Sequence, residues 1–277
     1  MLAALLALAA SFTWGSSNYL AGLQSRRHSA WHVTALSQIA ATVVAAIAVV
    51  VAGKPAPSAW DTTALLLAGV STAVGLVAFY RALAIGTMSV VSPIVSAQTA
   101  VPVAAGLLMG ERPGLPAYIG MVAAVAGVVL ISRAKSHDGK RATMAAVLLA
   151  VLTALCWGIV LLAFGLNGRE SPYWAVLDVR ITSVAVVLLY IAVTRRGLPL
   201  KGQNLPALLA VGLLLTLANI LYTLAAGFGY LSIVGVLGAL SPVFVTAYAQ
   251  TLLHERLTVW QWTGFATVFA GVVLLSV

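Results

Sequence analysis

The sequence predicts an all-α membrane protein whose ten transmembrane helices form two inverted five-helix repeats. Three observations predict this class: an apolar composition, a regular series of apolar runs, and an internal repeat. Of the 277 residues, 62% are hydrophobic and 8% are charged, whereas soluble domains carry about 25% charged residues. A water-facing surface cannot be assembled from such a chain, so the lipid bilayer is its expected surroundings.

The apolar runs have the length that a bilayer requires, roughly 20 residues of helix. Proline, glycine, charged and aromatic residues mark their ends. The predicted spans of the first half are 2–22, 31–52, 62–83, 87–109 and 115–132. Those of the second half are 143–166, 173–193, 205–226, 230–253 and 257–277. A basic linker at 133–142 separates a first domain, 1–132, from a second, 143–277.

The second half repeats the first with a shift of about 144 residues. The recurring features are Trp14-Gly15 with Trp157-Gly158, Ser89 with Ser232, Glu111-Arg112 with Glu255-Arg256, Gly120 with Gly264, and Gly127 with Gly271. Because each copy has an odd number of spans, the second copy crosses the membrane in the opposite sense. Two inverted copies are typical of secondary transporters.

The distribution of basic residues predicts the orientation. The gaps after odd-numbered spans, or their borders, hold eleven: Arg26, Arg27, Arg81, Arg133, Lys135, Lys140, Arg141, Arg195, Arg196, Lys201 and Arg256. The gaps after even-numbered spans hold three: Lys54, Arg112 and Arg169. Loops rich in basic residues stay in the cytoplasm. Both termini are therefore predicted to lie on the outer, non-cytoplasmic side of the cell (inner) membrane. No basic stripe recurs along a helix, so the net charge of +9 does not predict nucleic-acid binding.

Polar and large aromatic residues within the spans are the candidates for a substrate cavity. Ser11, Trp14 and Asn18 share one face of span one, since they are spaced i, i+3, i+7. The further candidates are Ser71, Tyr80, Ser92, Ser96, Gln98, Trp157, Asn219, Tyr222 and Gln250. Prolines interrupt spans four and nine, and paired interruptions point to a transport site. The predicted cavity walls are therefore spans one, three, four, six, eight and nine. Space filling and interhelical hydrogen bonding are the alternative interpretations.

Two charged residues lie within span seven. Asp178 is the acid that falls inside a predicted span, and an intramembrane acid marks a functional site by default. It is a candidate proton site, or it pairs with a basic residue of another helix. Arg180 is a candidate clamp for a substrate carboxylate, or an anchor at the membrane interface. Because Asp178 and Arg180 are two residues apart, their side chains point to different faces of the helix and are not expected to pair.

Three further patterns have structural interpretations. The single cysteine, Cys156, excludes a disulfide framework and a cysteine-based metal cluster, and no cofactor or metal is predicted. Small residues four apart, Ala123/Gly127 and Thr267/Gly271, predict close helix packing or a homodimer contact. The repeated pair at Glu111 and Glu255 predicts capping of helix ends or fixation of loops.

The chain resembles the EamA family of the drug/metabolite transporter superfamily. The resemblance rests on Trp-Gly in the first span of each copy and on the Glu-Arg pair followed by spaced glycines at the close of each copy. Pro242, thirteen residues before Glu255, also fits, whereas the first half has Gln98 at that position. The resemblance implies a ten-helix inner-membrane carrier, often an exporter, with spans five and ten peripheral. It also implies cytoplasmic termini in many members, opposite to the charge count.

The expected function is secondary active transport of a small solute by alternating access. A largely uncharged cavity favours a neutral, zwitterionic or amphipathic solute such as an amino acid or metabolite. A membrane-embedded enzyme would need clustered catalytic groups, which the sequence lacks. A channel would need a ring of charged side chains or a filter of backbone carbonyls, and the sequence shows no motif for either. The alternative that stays open is a non-transporting or lipid-handling accessory protein.

Overall fold

The computed structural model describes residues 1–25, 30–56, 59–85, 91, 94–95, 97–132, 144–167, 172–194, 204–253 and 258–276. Within these ranges all regular secondary structure is helical. The first-half helices are α1 Leu2–Ser25, α2 Ala30–Ala52, α3 Ala59–Ile85, α4 Ala100–Leu108 and α5 Leu115–Ser132, with a 3-10 turn at Ala97–Thr99 before α4. The second-half helices are α6 Met144–Leu166, α7 Pro172–Val193, α8 Leu205–Phe228, α9 Leu231–Gly238, α10 Ser241–Leu253 and α11 Val259–Ser276.

The described helices are those of a multi-pass membrane protein. Five segments are long and apolar enough to cross a bilayer: Val33–Ala52, Thr62–Phe79, Met144–Leu166, Pro172–Val193 and Leu205–Phe228. Shorter apolar helical segments occupy Ala97–Leu108, Leu115–Leu130, Leu231–Val245 and Trp262–Leu275. Seven of these nine segments fall within the predicted spans. Pro172–Val193 begins one residue before the predicted span 173–193, and Leu205–Phe228 ends two residues after the predicted span 205–226. The predicted linker, 133–142, lies outside the described residues.

Span nine, predicted over 230–253, is not one continuous helix, which agrees with the interruption expected from its proline. It divides at Ala239–Leu240 into α9 and α10. The physical reason is Pro242, which has no backbone N–H to donate to the carbonyl of Gly238, four residues earlier. The hydroxyl of Ser11 on α1 donates to that carbonyl instead, at 2.6 Å.

The first half has an interruption at the corresponding place. Its 3-10 turn, Ala97–Thr99, is the repeat equivalent of 240–242, where span nine is interrupted. Here Pro102 has no N–H for the carbonyl of Gln98. Both halves therefore contain a span whose backbone is broken near the same position of the repeat.

The two halves pack against each other in a reciprocal pattern. Helix α1 packs on α8, α9 and α10, while its counterpart α6 packs on α3, the 3-10 turn and α4. Helix α2 packs on α7 and α8, while its counterpart α7 packs on α2 and α3. Helix α5 packs on its own counterpart, α11. Exchanging the halves leaves this set of contacts unchanged, so the repeats are related by an approximate two-fold axis.

Glycines set the closest of these contacts at equivalent positions. A Cβ atom at Gly15 would lie 3.0 Å from the carbonyl oxygen of Ser241, and one at Gly158 would lie 2.7 Å from that of Gln98. Gly15 and Gly158 are equivalent in the repeat, and so are Gln98 and Ser241. The Trp-Gly glycine of each half therefore brings its helix against the broken span of the other half.

A second pair of glycines also permits close helix contacts at equivalent positions of the two halves. A Cβ atom at Gly69 would lie 2.6 Å from Cβ of Thr182, and one at Gly212 would lie 2.7 Å from Cβ of Ala40. The packing of α3 on α7 is thus matched by that of α8 on α2. Ala40 and Thr182 occupy equivalent places in the two contacts.

The small-residue spacing of spans five and ten serves packing within the chain. A Cβ atom at Gly127 would lie 2.8 Å from the carbonyl oxygen of Gly264, and one at Gly271 would lie 2.8 Å from that of Gly120. Helices α5 and α11 are thus in backbone contact, as small residues in lipid allow. The packing interpretation is confirmed, and a homodimer stays a prediction.

Candidate functional site

A cavity of about 270 Å³ lies between the two halves. Its wall is formed by α1, α2, α3, α6, α7 and α8 and by the broken spans four and nine. The polar and aromatic residues of the wall are Trp14, Ser17, Asn18, Thr34, Ser37, Gln38, Thr72, Gln98, Trp157, Phe164, Arg180, Asn219 and Ser241. Small-molecule sites usually have volumes of about 300–1,000 Å³, so this cavity suits a small solute.

The interruptions of both broken spans reach the cavity. Gln98 of the 3-10 turn contributes from the first half, and Gly238, Ala239 and Ser241 contribute from the second. Non-helical backbone at membrane depth is tolerated only where protein buries it or where it lines a wet cavity. The prolines of spans four and nine thus place irregular backbone at the cavity wall.

Two tryptophans face the cavity from equivalent helices, each braced by an aromatic ring. The ring centroids of Trp14 and Tyr222 are 5.4 Å apart, and those of Trp157 and Phe79 are 5.3 Å apart. Both separations lie in the favourable range for aromatic pairs. Tyr222 and Phe79, like the two tryptophans, occupy equivalent positions of the repeat, so the arrangement is present in both halves.

The polar surroundings of the two indoles differ. The indole nitrogen Nε1 of Trp14 donates a hydrogen bond of 2.9 Å to Oδ1 of Asn219. Beside Trp157 stands Gly75, where an added Cβ atom would be 2.7 Å from Nε1. Among the described residues, Nε1 of Trp157 has no hydrogen-bond acceptor. The cavity therefore has one indole N–H fixed by protein and one that can donate to a solute.

Two amide side chains of the wall also have unused hydrogen-bonding capacity. Asn18 and Gln98 make no side-chain hydrogen bond within the described part of the chain. The hydroxyl groups of the wall differ, because Ser17 donates to the carbonyl of Val211 and Thr72 donates to a carbonyl of its own helix. Asn18 and Gln98 are therefore amide groups that a solute can engage.

Arg180 is a buried cation in the cavity wall, with 4% of its surface exposed. Its Nη1 donates to Oε1 of Gln38, and Nε2 of Gln38 donates to Oγ of Ser183 at 3.1 Å. Nε of Arg180 has no hydrogen-bond partner. A cation at this depth costs about 2.5–3.5 kcal/mol on insertion scales, so its position requires a functional or structural reason.

Gln38 and Arg180 hold equivalent places in the two repeats. Each lies two residues before the residue, Ala40 or Thr182, that packs on the matching glycine of the other half. Gln38 was not among the predicted site residues, and spans two and seven were not among the predicted walls. The sequence contains a pattern that could have identified span two as a cavity wall. Thr34, Ser37 and Gln38 lie on one face of this otherwise apolar helix.

Asp178 lies apart from this group. It is buried, with 6% of its surface exposed, and it is not part of the cavity wall. Its Oδ2 has no hydrogen-bond partner, and no basic side chain pairs with it among those described. The expectation that Asp178 and Arg180 point to different faces agrees with the structure, since only Arg180 reaches the cavity.

The other predicted residues divide into two groups. Ser11, Ser71 and Tyr222 do not line the cavity: Ser11 donates to carbonyls at the break of span nine, Ser71 donates to Leu67 of its own helix, and Tyr222 is fully buried behind Trp14. Ser92, Ser96 and the side chains of Tyr80 and Gln250 lie outside the described residues.

Glu111 caps a helix of the opposite half, which is one of the two roles predicted for the repeated Glu-Arg pair; the second copy, at Glu255, lies outside the described residues. Its carboxylate accepts hydrogen bonds from the backbone N–H groups of Leu231 and Ser232 and from the hydroxyl of Ser232 at 2.6 Å. A carboxylate is favourable at the positive end of a helix. Glu111 thus ties the end of span four to the start of α9.

Two reciprocal helical halves, around a cavity that carries both apolar and polar side chains, are typical of membrane proteins of the transporter class. The sequence model of the EamA-like transporter family matches residues 1–133 and 144–277. The chain therefore belongs to this family, within the drug/metabolite transporter superfamily. A solved crystal structure of a protein shares the fold, with a TM-score of 0.85 and 18% sequence identity over 99% of this chain and 98% of that chain. No curated protein matches the sequence.

Proposed function

We propose that this chain is a secondary active transporter of the inner membrane that exports a small neutral, zwitterionic or amphipathic solute, such as an amino acid or metabolite. Its ten spans form two inverted halves, which rock about the cavity to open it to each side in turn. The reciprocal packing of the halves supports this architecture, because a two-fold relation lets the same contacts form on either side.

The observation that carries the proposal is the position of the cavity. It lies where the halves meet, and it is lined by equivalent residues of both, Trp14 and Trp157, and by both broken spans. In transporters built from inverted repeats, the substrate site lies at the repeat interface and is formed by discontinuous helices. An alternating-access carrier needs such a site, reachable from either side.

The wall also limits the solute. The indole rings and the side chains of Val160, Leu161 and Phe164 offer apolar contact, while Asn18, Gln98 and the N–H of Trp157 offer hydrogen bonds. A solute with an apolar part and a few polar groups satisfies both. Its size is limited by the volume of about 270 Å³.

Counterflow in proteoliposomes tests the proposal. Purified protein is reconstituted with an unlabelled solute inside, and uptake of the labelled solute is followed for a panel of amino acids and amphipathic amines. We expect saturable exchange of one solute class, and acceleration by an imposed pH gradient would identify proton coupling. A fluorescent-lipid scrambling assay runs in parallel. Lipid scrambling without solute exchange would contradict the proposal and establish a lipid-handling protein.

A further inference from the structure

The cation of the cavity wall has no charge partner within the described part of the chain. Arg180 is held by Gln38, a neutral amide, through a single hydrogen bond. No carboxylate pairs with it among the described side chains. Asp178, two residues away on α7, is not part of the cavity wall, and Glu111 is engaged by Leu231 and Ser232. The positive charge of Arg180 is therefore uncompensated by these acids.

The guanidinium group also has unused donors. It carries five N–H donors in a planar fork, of which the described residues engage one of the two on Nη1. The N–H on Nε is buried and has no partner. A guanidinium with free donors binds a planar carboxylate through two parallel hydrogen bonds, which are among the strongest in proteins. The uncompensated charge, and the N–H groups of Nη1 and Nη2 that the described residues leave unengaged, therefore both favour a carboxylate as the ligand group.

The remainder of the cavity accommodates the rest of such a ligand. The oxygen atoms of Asn18 and Gln98 can accept hydrogen bonds from an ammonium group, and the faces of Trp14 and Trp157 attract a cation as well as apolar groups. Among the described residues of the wall, Arg180 is the one cationic side chain, and a single positive charge does not compensate a doubly charged phosphate. A monocarboxylate matches its charge.

We propose that Arg180 binds the carboxylate of the transported solute, with Gln38 as the positioning residue that orients the guanidinium. The transported class is then a small amphipathic monocarboxylate, with amino acids as the zwitterionic members. This inference rests on the proposed transport function and narrows its solute from neutral, zwitterionic or amphipathic compounds to carboxylate-bearing ones.

The experiment compares amino acids with analogues in which a neutral carboxamide replaces the carboxylate. Labelled amino acids and their α-carboxamides, for example leucine with leucinamide and phenylalanine with phenylalaninamide, are assayed by counterflow in proteoliposomes. The wild-type protein is expected to exchange an acid at least tenfold faster than its amide. Arg180→Gln is expected to lower that acid-to-amide ratio at least tenfold, because it removes the charge and the fork.

Two further variants separate charge recognition from folding. Gln38→Glu places a carboxylate of the same size beside Nη1, so it pairs with Arg180 and should lower the ratio by a similar factor while keeping the guanidinium. Arg81→Gln removes the charge of an exposed arginine on α3 and should leave the ratio unchanged. A poorly folded variant loses exchange of both probes, so it does not imitate a changed ratio.

The outcomes distinguish the two proposals. Amides that exchange as fast as acids in the wild-type protein would overturn the role of Arg180 while leaving the transporter proposal in place. So would an unchanged ratio in folded Arg180→Gln and Gln38→Glu proteins. Exchange of neither probe class by the wild-type protein would contradict the transport function itself, and with it this inference.

Discussion

At the scale of single residues, Trp14 and Trp157 occupy equivalent positions of the sequence repeat and both line the cavity. Each indole packs against a ring of the opposite half, Tyr222 or Phe79, and each lines the cavity. A large rigid ring that touches both halves changes its surroundings when the halves move. If the halves move as proposed, these two residues are the ones that we expect to couple solute contact to that movement.

Replacement of both indoles tests this role. We expect Trp14→Ala with Trp157→Ala to abolish transport, since the double change removes the aromatic walls and the N–H that can donate to a solute. Membrane insertion and the elution profile in detergent should be preserved, because both side chains are only partly buried. Flux is measured by counterflow in proteoliposomes.

The matched control for the indole variants is Trp262→Ala. Trp262 is 57% exposed on α11 and is not part of the cavity wall, so its removal should not alter counterflow. A double variant with the flux of the wild-type protein would show that the two indoles are not part of the transport site.

At the scale of elements, α9 is a short helix whose two ends are held by residues from the first half. Glu111 caps its N-terminus, and Ser11 donates to the carbonyls of Leu237 and Gly238 at its C-terminus. A helix this short has few internal hydrogen bonds and leaves four N–H and four C=O groups unpaired at its ends. Its stability in the fold therefore depends on these contacts with the other half.

Removal of the cap tests this dependence. Glu111→Ala leaves the N–H groups of Leu231 and Ser232 without their acceptor and should destabilise the protein by roughly 1.5–3 kcal/mol, the range for hydrogen bonds to charged groups. Thermal unfolding of the detergent-solubilised protein is the measurement. The neighbouring Arg112→Ala, at an exposed position, should leave the melting temperature unchanged. Equal melting temperatures for both variants would contradict the capping role.

The close contact between α5 and α11 leads to a second prediction at the scale of elements. An added methyl group at Gly127 would lie 2.6 Å from a side-chain carbon of Val268 and 2.7 Å from its backbone nitrogen. Because backbone cannot move aside cheaply, Gly127→Ala should destabilise the protein by about 1–3 kcal/mol, as overpacking does.

Gly22→Ala is the matched control for the helix contact. No atom lies within 4 Å of an added Cβ at Gly22 on α1, and alanine is the better helix former. Its melting temperature should equal or slightly exceed that of the wild-type protein. A Gly127→Ala protein as stable as Gly22→Ala would show that the two helices can separate without cost.

At the scale of the whole molecule, an approximate two-fold relation is combined with charge asymmetry. Packing contacts, glycines, aromatic pairs and broken spans recur in the two halves. Gln38 and Arg180 occupy equivalent places, yet only the second half supplies a charge. Reciprocal packing suits the proposed movement that opens either side, whereas recognition of a solute needs chemically distinct groups. The repeats have thus diverged at the wall while keeping the same framework.

Orientation is a property of the whole chain and can be measured by labelling. On a Cys156→Ala background, Ser136→Cys places a unique thiol in the linker between the halves. The basic gaps predict a cytoplasmic linker, so an impermeant maleimide should label inverted membrane vesicles but not intact cells. A thiol added after Val277 should show the opposite pattern. Labelling of the linker in intact cells would reverse the predicted orientation.

Much of the site was accessible from the sequence because membrane helices leave strong local signals. Trp14, Asn18, Gln98, Trp157 and Asn219 interrupt apolar runs, and all five line the cavity. Ser11 has the same signal but serves the broken backbone of span nine, a contact with the opposite half of the chain. Tyr222 is aromatic like the wall residues but lies behind one of them. Spacing along a helix does not distinguish these cases.

The sequence by itself determined the class, the repeat and the polar residues that interrupt the spans, since a bilayer imposes length and hydropathy on each helix independently of its neighbours. The tertiary structure decided which of those residues meet. It brought spans two and seven to the cavity, and it set Arg180 against Gln38 while leaving Asp178 outside the wall. These outcomes depend on contacts between opposite halves of the chain, where glycines set how closely the helices approach, and no local pattern contains them.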